Sequence, residues 1–370
     1  MMQMLAAEPA VNKNLASISD NLVLAMIVMY AIALFLFVIE AAYGRRETLR
    51  GNRLVPVRAG VAAEASTDAA ASAVPAASGA VSGGHVPGEG TTSVGGYSAP
   101  FDLDDDMTVN VRDQEPEAKA SRHVVGKIAL ALTFAAFAVN LVQIVTRGLA
   151  VDRWPWGNMF EFVVALCLCA VTAFLFAAVR YQARYLGMFV LIPVILLLGI
   201  AVKWLYTEAG PLIPALDSYW IPIHVSALIL ASGGFMVSGA AAITYLVSNR
   251  TELKRAAGER VTGIAARLPS PELLDRVSHR FILFAFPLWT FGVIAGAIWA
   301  DEAWGRFWGW DPKEVWSFIT WTVYAAYLHA RATAGWRGSK ATWIGLIGFA
   351  CLLFNFFGVN YMFSGLHSYA

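Results

Sequence analysis

Charged residues are scarce in this chain. They make up 14% of its 370 residues, while 58% are hydrophobic. A soluble domain carries nearer a quarter charged residues. Several apolar runs exceed the roughly 18 residues that indicate a membrane-spanning helix. The shortage of charge therefore argues against a soluble enzyme and predicts a polytopic membrane protein.

The chain also has only three cysteines and a net charge close to zero. Cys167, Cys169 and Cys351 lie inside apolar runs and none belongs to a CxxC pair, so we expect buried packing residues rather than thiol–disulfide chemistry. The net charge of +1 gives no reason to expect nucleic acid as a partner. About twenty residues precede the first apolar run, an order that does not match a signal peptide.

Eight apolar runs organise the chain and predict the fold. They cover residues 21–40, 124–146, 160–179, 185–203, 221–247, 281–299, 315–330 and 341–361. If both termini lie outside, all but six of the 27 Lys and Arg residues fall on the cytoplasmic side, as the positive-inside rule requires. We therefore expect an all-α membrane protein with about eight transmembrane helices and both termini extracytoplasmic. Asn140 and Gln143 predict a hydrogen bond from the second run to another helix.

Composition changes sharply between residues 44 and 121, where Ala, Gly, Ser and Thr dominate. Such a stretch buries too little apolar area to offset its chain entropy, so it is predicted to be disordered. The expected parts are an N-terminal transmembrane helix (1–43), a disordered cytoplasmic loop (44–121) and a seven-helix membrane domain (122–370).

Tryptophan is concentrated near the C-terminal end. Nine of the thirteen tryptophans lie between Trp289 and Trp343, and residues 301–321 read DEAWGRFWGWDPKEVWSFITW. A preference of tryptophan for the membrane interface explains only part of this. Gly305 and Gly309 separate large aromatic side chains, and small residues there let the backbone approach a flat, mostly apolar ligand.

The stretch WGRFWGWDPKEVW resembles the tryptophan-rich WWD signature of the haem-handling membrane proteins of cytochrome c maturation. The similarity covers the chain from about Trp154 onward and is greatest with the haem-delivery subunit of system II, the CcsA/ResC type. The resemblance implies haem b as a transported substrate. It also implies the bacterial cytoplasmic membrane as the location, with the working site on its outer side. The implied partners are apocytochrome c, a ResB-type membrane subunit, a thioredoxin-like thiol reductant and membrane lipid.

Imidazole is a common axial ligand of haem iron, and two histidines lie at the depth of the tryptophan segment. His224 is near the outer end of the fifth run, and His367 is just beyond the eighth. The alternative for each is an interfacial hydrogen bond. The resemblance assigns both to the iron of one haem.

A third histidine is too far away to share that iron. His329, near the inner end of the seventh run, lies roughly 20 Å below the motif at 1.5 Å per helical residue. The resemblance gives it a second haem, with the opposite ligand supplied by another polypeptide. His279 could be that ligand, although a histidine at the cytoplasmic edge is more often structural.

Other residues of the segment are expected to shape the outer site. The predicted aromatic contacts of the haem are Trp304, Trp308, Trp310 and Trp316. Asp311 either caps the helix that begins at Pro312, or orients a ligand histidine or holds a tryptophan of the loop. Arg306 and Lys313 are the cations expected to bind the two haem propionates.

A further segment should contribute to the same site. The resemblance gives the stretch around Asn158 and Glu161 a site-shaping role. No side chain is predicted to be catalytic, because the thiols that react with haem belong to the CxxCH motif of apocytochrome c. Haem ligation is therefore expected to be shared with a partner subunit.

Two other classes of protein remain open at this point. A membrane electron-transfer cytochrome would hold its haems permanently between pairs of histidines, but only the outer pair can be matched here. A solute transporter would be expected to show an inverted repeat, and none is detected.

Overall fold

The computed structural model describes residues 11–43, 123–180, 183–212, 216–333 and 335–367. The predicted disordered loop at 44–121 lies outside these ranges. The main helices are α1 (Lys13–Tyr43), α2 (His123–Val151), α3 (Met159–Arg180), α4 (Gly187–Trp204), α5 (Trp220–Ala256), α6 (Pro271–Trp304), α7 (Pro312–Thr333) and α8 (Ser339–Leu353). A π-helical turn (Phe354–Gly358) and a short helix, α9 (Val359–Met362), follow α8.

Seven helices in the described part of the chain are long and apolar enough to cross a membrane. The prediction of an all-helical, multi-pass membrane protein is therefore confirmed. The seventh predicted run lies in α7, which has 22 residues but is not among those seven. Helix α7 has Lys313 and Glu314 in its first turn and Arg331 in its last turn. These charged residues lower its mean hydropathy. The count of eight spans stays a prediction.

Helix α5 lies at the centre of the bundle. Buried residues run along it from Ile221 to Thr251, and its most extensive contacts are with α6. Small residues let neighbouring helices approach closely. A Cβ placed at Gly233 would lie 2.8 Å from the Cβ of Cys169 on α3, and one at Gly239 would lie 2.8 Å from the ring of Phe349 on α8.

Helices α1 and α2 pack against each other, and polar contacts join them to one another and to α3. Gln143 donates a hydrogen bond to Ser19 on α1 at 3.0 Å, so the predicted helix–helix hydrogen bond is present. Arg147, which is 1% exposed, pairs with Asp20 on α1 and with Glu161 on α3, each at 3.1 Å. The three cysteines are free thiols, and Cys167 is fully buried, as expected.

Candidate functional site: a cavity at the tryptophan end

One end of the bundle, here called the tryptophan end, contains a large apolar cavity. The start of α5, the last turns of α6, the start of α7 and the π-helical turn enclose it. The empty space within it is about 1090 Å³ when the open solvent at its mouth is included. His224 and His367 both line it.

His224 is fixed by the two helices that pack most closely. Its Nδ1 lies 2.7 Å from the carbonyl oxygen of Gly292 on α6. A Cβ at Gly296 would lie only 2.4 Å from Cε1 of the same imidazole. The ring also stacks on Trp299, with 6.0 Å between centroids and 14° between planes. Two glycines four residues apart on α6 thus provide the acceptor and the space for this ring.

His367 is fixed by Asp311. Its Nδ1 lies 3.0 Å from Oδ1 of Asp311, while Oδ2 accepts a hydrogen bond from the backbone N–H of Leu366 at 2.7 Å. The imidazole meets the indole of Trp304 edge-on at 4.8 Å and that of Trp299 at 5.7 Å. Trp299 therefore contacts both histidines, which are far apart in sequence.

Asp311 both caps α7 and contacts His367. Its Oδ1 also accepts from the N–H of Lys313 at 3.1 Å, which caps α7 behind Pro312. Burial raises the pKa of this carboxyl, but hydrogen bonds from His367, Leu366 and Lys313 outweigh it and lower the pKa to about 2. Asp311 is therefore a carboxylate at neutral pH.

The partners of the two histidines determine which ring nitrogen can bind a metal. A backbone carbonyl and an ionised carboxylate are acceptors only, so Nδ1 carries the proton in both neutral imidazoles. The lone pair is then on Nε2 of each ring. This is the arrangement in which a second group orients a metal-binding histidine and raises its basicity. A metal bound by either imidazole in this tautomer would be bound through Nε2.

The predicted tryptophans occupy different surroundings. Trp308 lines the cavity, whereas Trp304 packs against His367. Trp310 is 69% exposed and has a φ of +60°, and it contacts Trp308 edge-on at 5.9 Å. Trp316 packs on Phe354 with 4.2 Å between ring centroids. Of the described residues that line the cavity, Trp308 is the one member of the predicted four.

The two predicted cations are also placed differently. Lys313 lines the cavity and donates to Oδ1 of Asn360 at 2.6 Å. Burial lowers the pKa of its ammonium to about 8, against the opposing effect of Asp311. Arg306 instead faces Glu314, with Nη1 3.5 Å from Oε1. Glu314 also accepts the N–H groups of Gly309 and Asp311 at 2.8 and 3.0 Å, so it holds the turn together.

The segment before α3 forms another wall of the cavity. Trp156, Gly157 and Asn158 line it, and the Asn158 side chain caps α3 by accepting the N–H of Glu161 at 2.9 Å. The Glu161 carboxylate accepts from the N–H of Gly157 at 2.8 Å and from Arg153 at 2.9 Å. Glu161 therefore holds the loop that forms this wall.

Two further histidines lie near the opposite end of the bundle. His329 is exposed in the second half of α7, about 25 Å from Pro312 at 1.5 Å per residue. His279, on α6, lies 5.8 Å from the ring of Tyr327 on α7. Both histidines are remote from the cavity, so neither can share a ligand with His224 and His367.

Some residues of the site were missed by the sequence analysis. Trp299 lies outside the 301–321 segment, yet it is 1% exposed and touches both histidines. Gly292 and Gly296 form a G-x-x-x-G pattern in the sixth apolar run, a known signal for close helix packing. That pattern could have identified the α6 face that receives His224.

Comparison with known proteins identifies the family. The model of the family described as "Cytochrome C assembly protein" matches residues 156–367, which include the whole cavity. The chain therefore belongs to the cytochrome c assembly protein family.

Individual proteins of known name are similar to this chain over about two thirds of its length. The chain is 32% identical over 286 residues to the cytochrome c biogenesis protein CcsA of Gloeobacter violaceus, covering 63% of this chain and 85% of that one. It is 35% identical over 242 residues to CcsA of Guillardia theta, covering 60% and 79%. A solved structure named cytochrome c haem lyase CcmF matches with a TM-score of 0.46 and 20% identity, over 65% of this chain and 42% of that one.

Proposed function

We propose that this protein acts in cytochrome c biogenesis by moving haem across the membrane and presenting it at the tryptophan end for attachment to apocytochrome c. The observation that carries the proposal is the pair His224 and His367. Both line one apolar cavity, and each has its Nδ1 engaged by an acceptor. A haem placed between the two rings receives a nitrogen ligand on each face.

The cavity provides what a haem needs besides iron ligands. Trp308, Phe307 and Phe356 supply apolar surface for the ring, and burial of that surface favours binding by about 25 cal/mol per Å². Lys313 is the better-placed cation for a propionate, because it lines the cavity while Arg306 pairs with Glu314. The cavity is open at its mouth, so one edge of the substrate remains accessible to the thiols of apocytochrome c.

We further infer the orientation of the protein in the membrane, the entry site of haem and the partner proteins. The tryptophan end faces the extracytoplasmic side of the bacterial cytoplasmic membrane, because the Lys- and Arg-rich segments lie at the opposite end. Haem b enters at the opposite, cytoplasmic end and first binds His329. The second ligand of that iron comes from another polypeptide. A ResB-type subunit and a thioredoxin-like thiol reductant complete the ligation machinery. The haem is cargo, which distinguishes this protein from an electron-transfer cytochrome.

The test is chemical rescue in cells that depend on this protein for cytochrome c assembly. His224→Gly and His367→Gly should abolish covalently haem-stained cytochrome c. Each should regain part of it in millimolar imidazole, because free imidazole replaces the missing nitrogen donor while the apolar cavity still binds the ring.

Trp308→Ala is the matched control, since it removes cavity surface and no iron ligand. It should lower assembly without rescue by imidazole. If imidazole rescued neither histidine variant, or rescued the Trp308 variant equally well, the proposal that His224 and His367 bind one haem iron would be wrong. Haem that stays bound through turnover in the purified wild type would favour the electron-transfer alternative.

A further inference from the structure

A basic cluster lies near the end of the bundle opposite the cavity. Around His279, the side chains within electrostatic range are Arg280, Arg331, Arg337 and Asp275. Arg276 is one turn before His279 and Arg280 on α6, so all three share one helix face. The one carboxylate of this group, Asp275, is already bound by both terminal nitrogens of Arg331, at 2.8 and 3.0 Å.

Arg276 has polar atoms that need a partner. Its Nε is buried and has no hydrogen-bond partner among the described residues, and no ion pair in that part of the chain includes it. The hydroxyl of Tyr185, which lies within electrostatic range of Arg276, is likewise buried without a partner. Leaving a buried charged donor unpaired is costly, so these groups are suited to an anion from outside the bundle.

The depth of Arg276 indicates which anion can reach it. The apolar run of α6 begins at Phe281, five residues or about 7.5 Å along the helix from Arg276. The headgroup layer on each side of a bilayer is about 5–7.5 Å thick. Arg276 is therefore at headgroup depth, and its side chain is partly exposed there. Basic pockets between transmembrane helices on the cytoplasmic side are suited to anionic lipid headgroups.

We propose that Arg276, with the Tyr185 hydroxyl within electrostatic range of it, binds the phosphate of an anionic phospholipid headgroup. The guanidinium donates through Nε and a terminal nitrogen in the paired geometry that suits phosphate, and the tyrosine hydroxyl donates a further hydrogen bond. The surrounding arginines add a favourable field. This site is independent of the haem cavity, and it depends on the proposed orientation only for the choice of membrane leaflet.

The experiment compares lipid retention by the full-length protein in detergent, measured by native mass spectrometry. Wild-type protein should retain phosphatidylglycerol in preference to phosphatidylcholine, and phosphatidylglycerol should raise its melting temperature more. Arg276→Gln should weaken the preferential retention about tenfold, the change expected for loss of one charge-assisted hydrogen bond. Tyr185→Phe should produce a smaller loss in the same direction.

Arg250→Gln is the matched control, because Arg250 is an exposed arginine on α5 outside this group. It should retain lipid as the wild type does. Arg276→Lys, which keeps the charge, should retain part of the preference and shows that the effect is not misfolding. Equal retention by wild type and Arg276→Gln would overturn the proposal.

Two further arms identify the source of the anion. Stabilisation by millimolar inorganic phosphate equal to that by phosphatidylglycerol would show a free-anion site and overturn the lipid assignment. Loss of co-purifying haem in Arg276→Gln, with lipid retention unchanged, would show that a haem carboxylate is the ligand instead. Failure of the haem proposal would leave the lipid measurements unaffected.

Discussion

Asp311 joins the N-terminus of α7 to His367, the histidine that follows α9. One carboxylate oxygen accepts from Lys313 and from His367, and the other accepts from Leu366. The adjoining backbone leaves little room, because a Cβ at Gly365 would lie 2.4 Å from Oδ2 of Asp311. The carboxylate thus acts at once as a helix cap and as the acceptor that sets the His367 tautomer.

These two roles of Asp311 can be separated by substitution. Serine is as good a helix N-cap as aspartate, but its hydroxyl is too short to reach His367 and Leu366 as well. We expect Asp311→Ser to keep the melting temperature within a few degrees of the wild type and to lose most cytochrome c assembly. Asp311→Asn, which retains one acceptor oxygen, should be intermediate.

The measurements are thermal unfolding of the purified protein and covalent haem staining of cytochrome c in cells. The absorbance spectrum of co-purified haem gives an independent readout, since loss of His367 as a ligand changes the spin state of the iron. Wild-type assembly in Asp311→Ser would mean that helix capping is the whole role of this residue.

At the scale of the residue, sequence reasoning located both histidines and offered Asp311 as a partner for one of them, but it missed the partner of His224. His224 and His367 were predicted from the resemblance and their position at the ends of apolar runs. The acceptor of His224 is a backbone carbonyl of Gly292, which no side-chain pattern reveals. Trp310 belongs to the tryptophan motif, yet it is largely exposed and has a positive φ. Contact with haem stays a prediction for every residue assigned to the site.

At the scale of the element, the site depends on how closely α5 and α6 pack. Leu228 and His224 are four residues apart on α5, as are Gly292 and Gly296 on α6. A Cβ at Gly292 would meet Leu228, and one at Gly296 would meet His224. The glycine pair therefore sets the separation of the helices and leaves one opening of the size of an imidazole ring.

Gly296→Ala should consequently displace the His224 ring. The added methyl group would lie 2.4 Å from Cε1, well inside van der Waals contact, and overpacking of this kind typically costs about 1–3 kcal/mol. We expect weaker haem retention and reduced cytochrome c assembly, without improvement by imidazole because the opening is already filled. Haem content and the haem spectrum of the purified variant are the measurements.

Gly199→Ala on α4 provides the control for this glycine substitution, since a Cβ there meets nothing within 4 Å. It should be indistinguishable from the wild type in haem content and in melting temperature. If Gly296→Ala also bound haem like the wild type, the close fit of His224 against α6 would not be required for the site.

At the scale of the whole molecule, the apolar runs predicted the membrane helices well and the polar contacts between them poorly. Helix formation in a membrane follows from runs of apolar residues, which are visible in the sequence. Arg147 reads as a loop residue next to the second run, but α2 extends through it to Val151. Its pairing with Asp20 and Glu161 joins segments far apart in the chain, and only the fold brings them together.

These contacts hold α1 in the bundle. Besides Gln143 and Arg147, the guanidinium of Arg267 donates to the carbonyl oxygens of Ala41 and Ala42 at the last turns of α1. Breaking a buried pair such as Arg147–Glu161 costs about 3–5 kcal/mol. Helix α1 is thus held at both of its ends by side chains of other elements.

Shortening the connecting segment should therefore leave the protein functional. We expect deletion of about forty residues between positions 60 and 111, a stretch whose composition predicts disorder, to preserve cytochrome c assembly and the melting temperature. A shorter flexible connection costs little, because loop-closure entropy changes slowly with length. The matched comparison is Arg147→Met in the full-length chain, which keeps the connection but removes the buried pair, and which should lower both quantities. Haem-stained cytochrome c is measured at equal protein level. Loss of assembly in the deletion variant at normal abundance would show that the segment itself binds a partner.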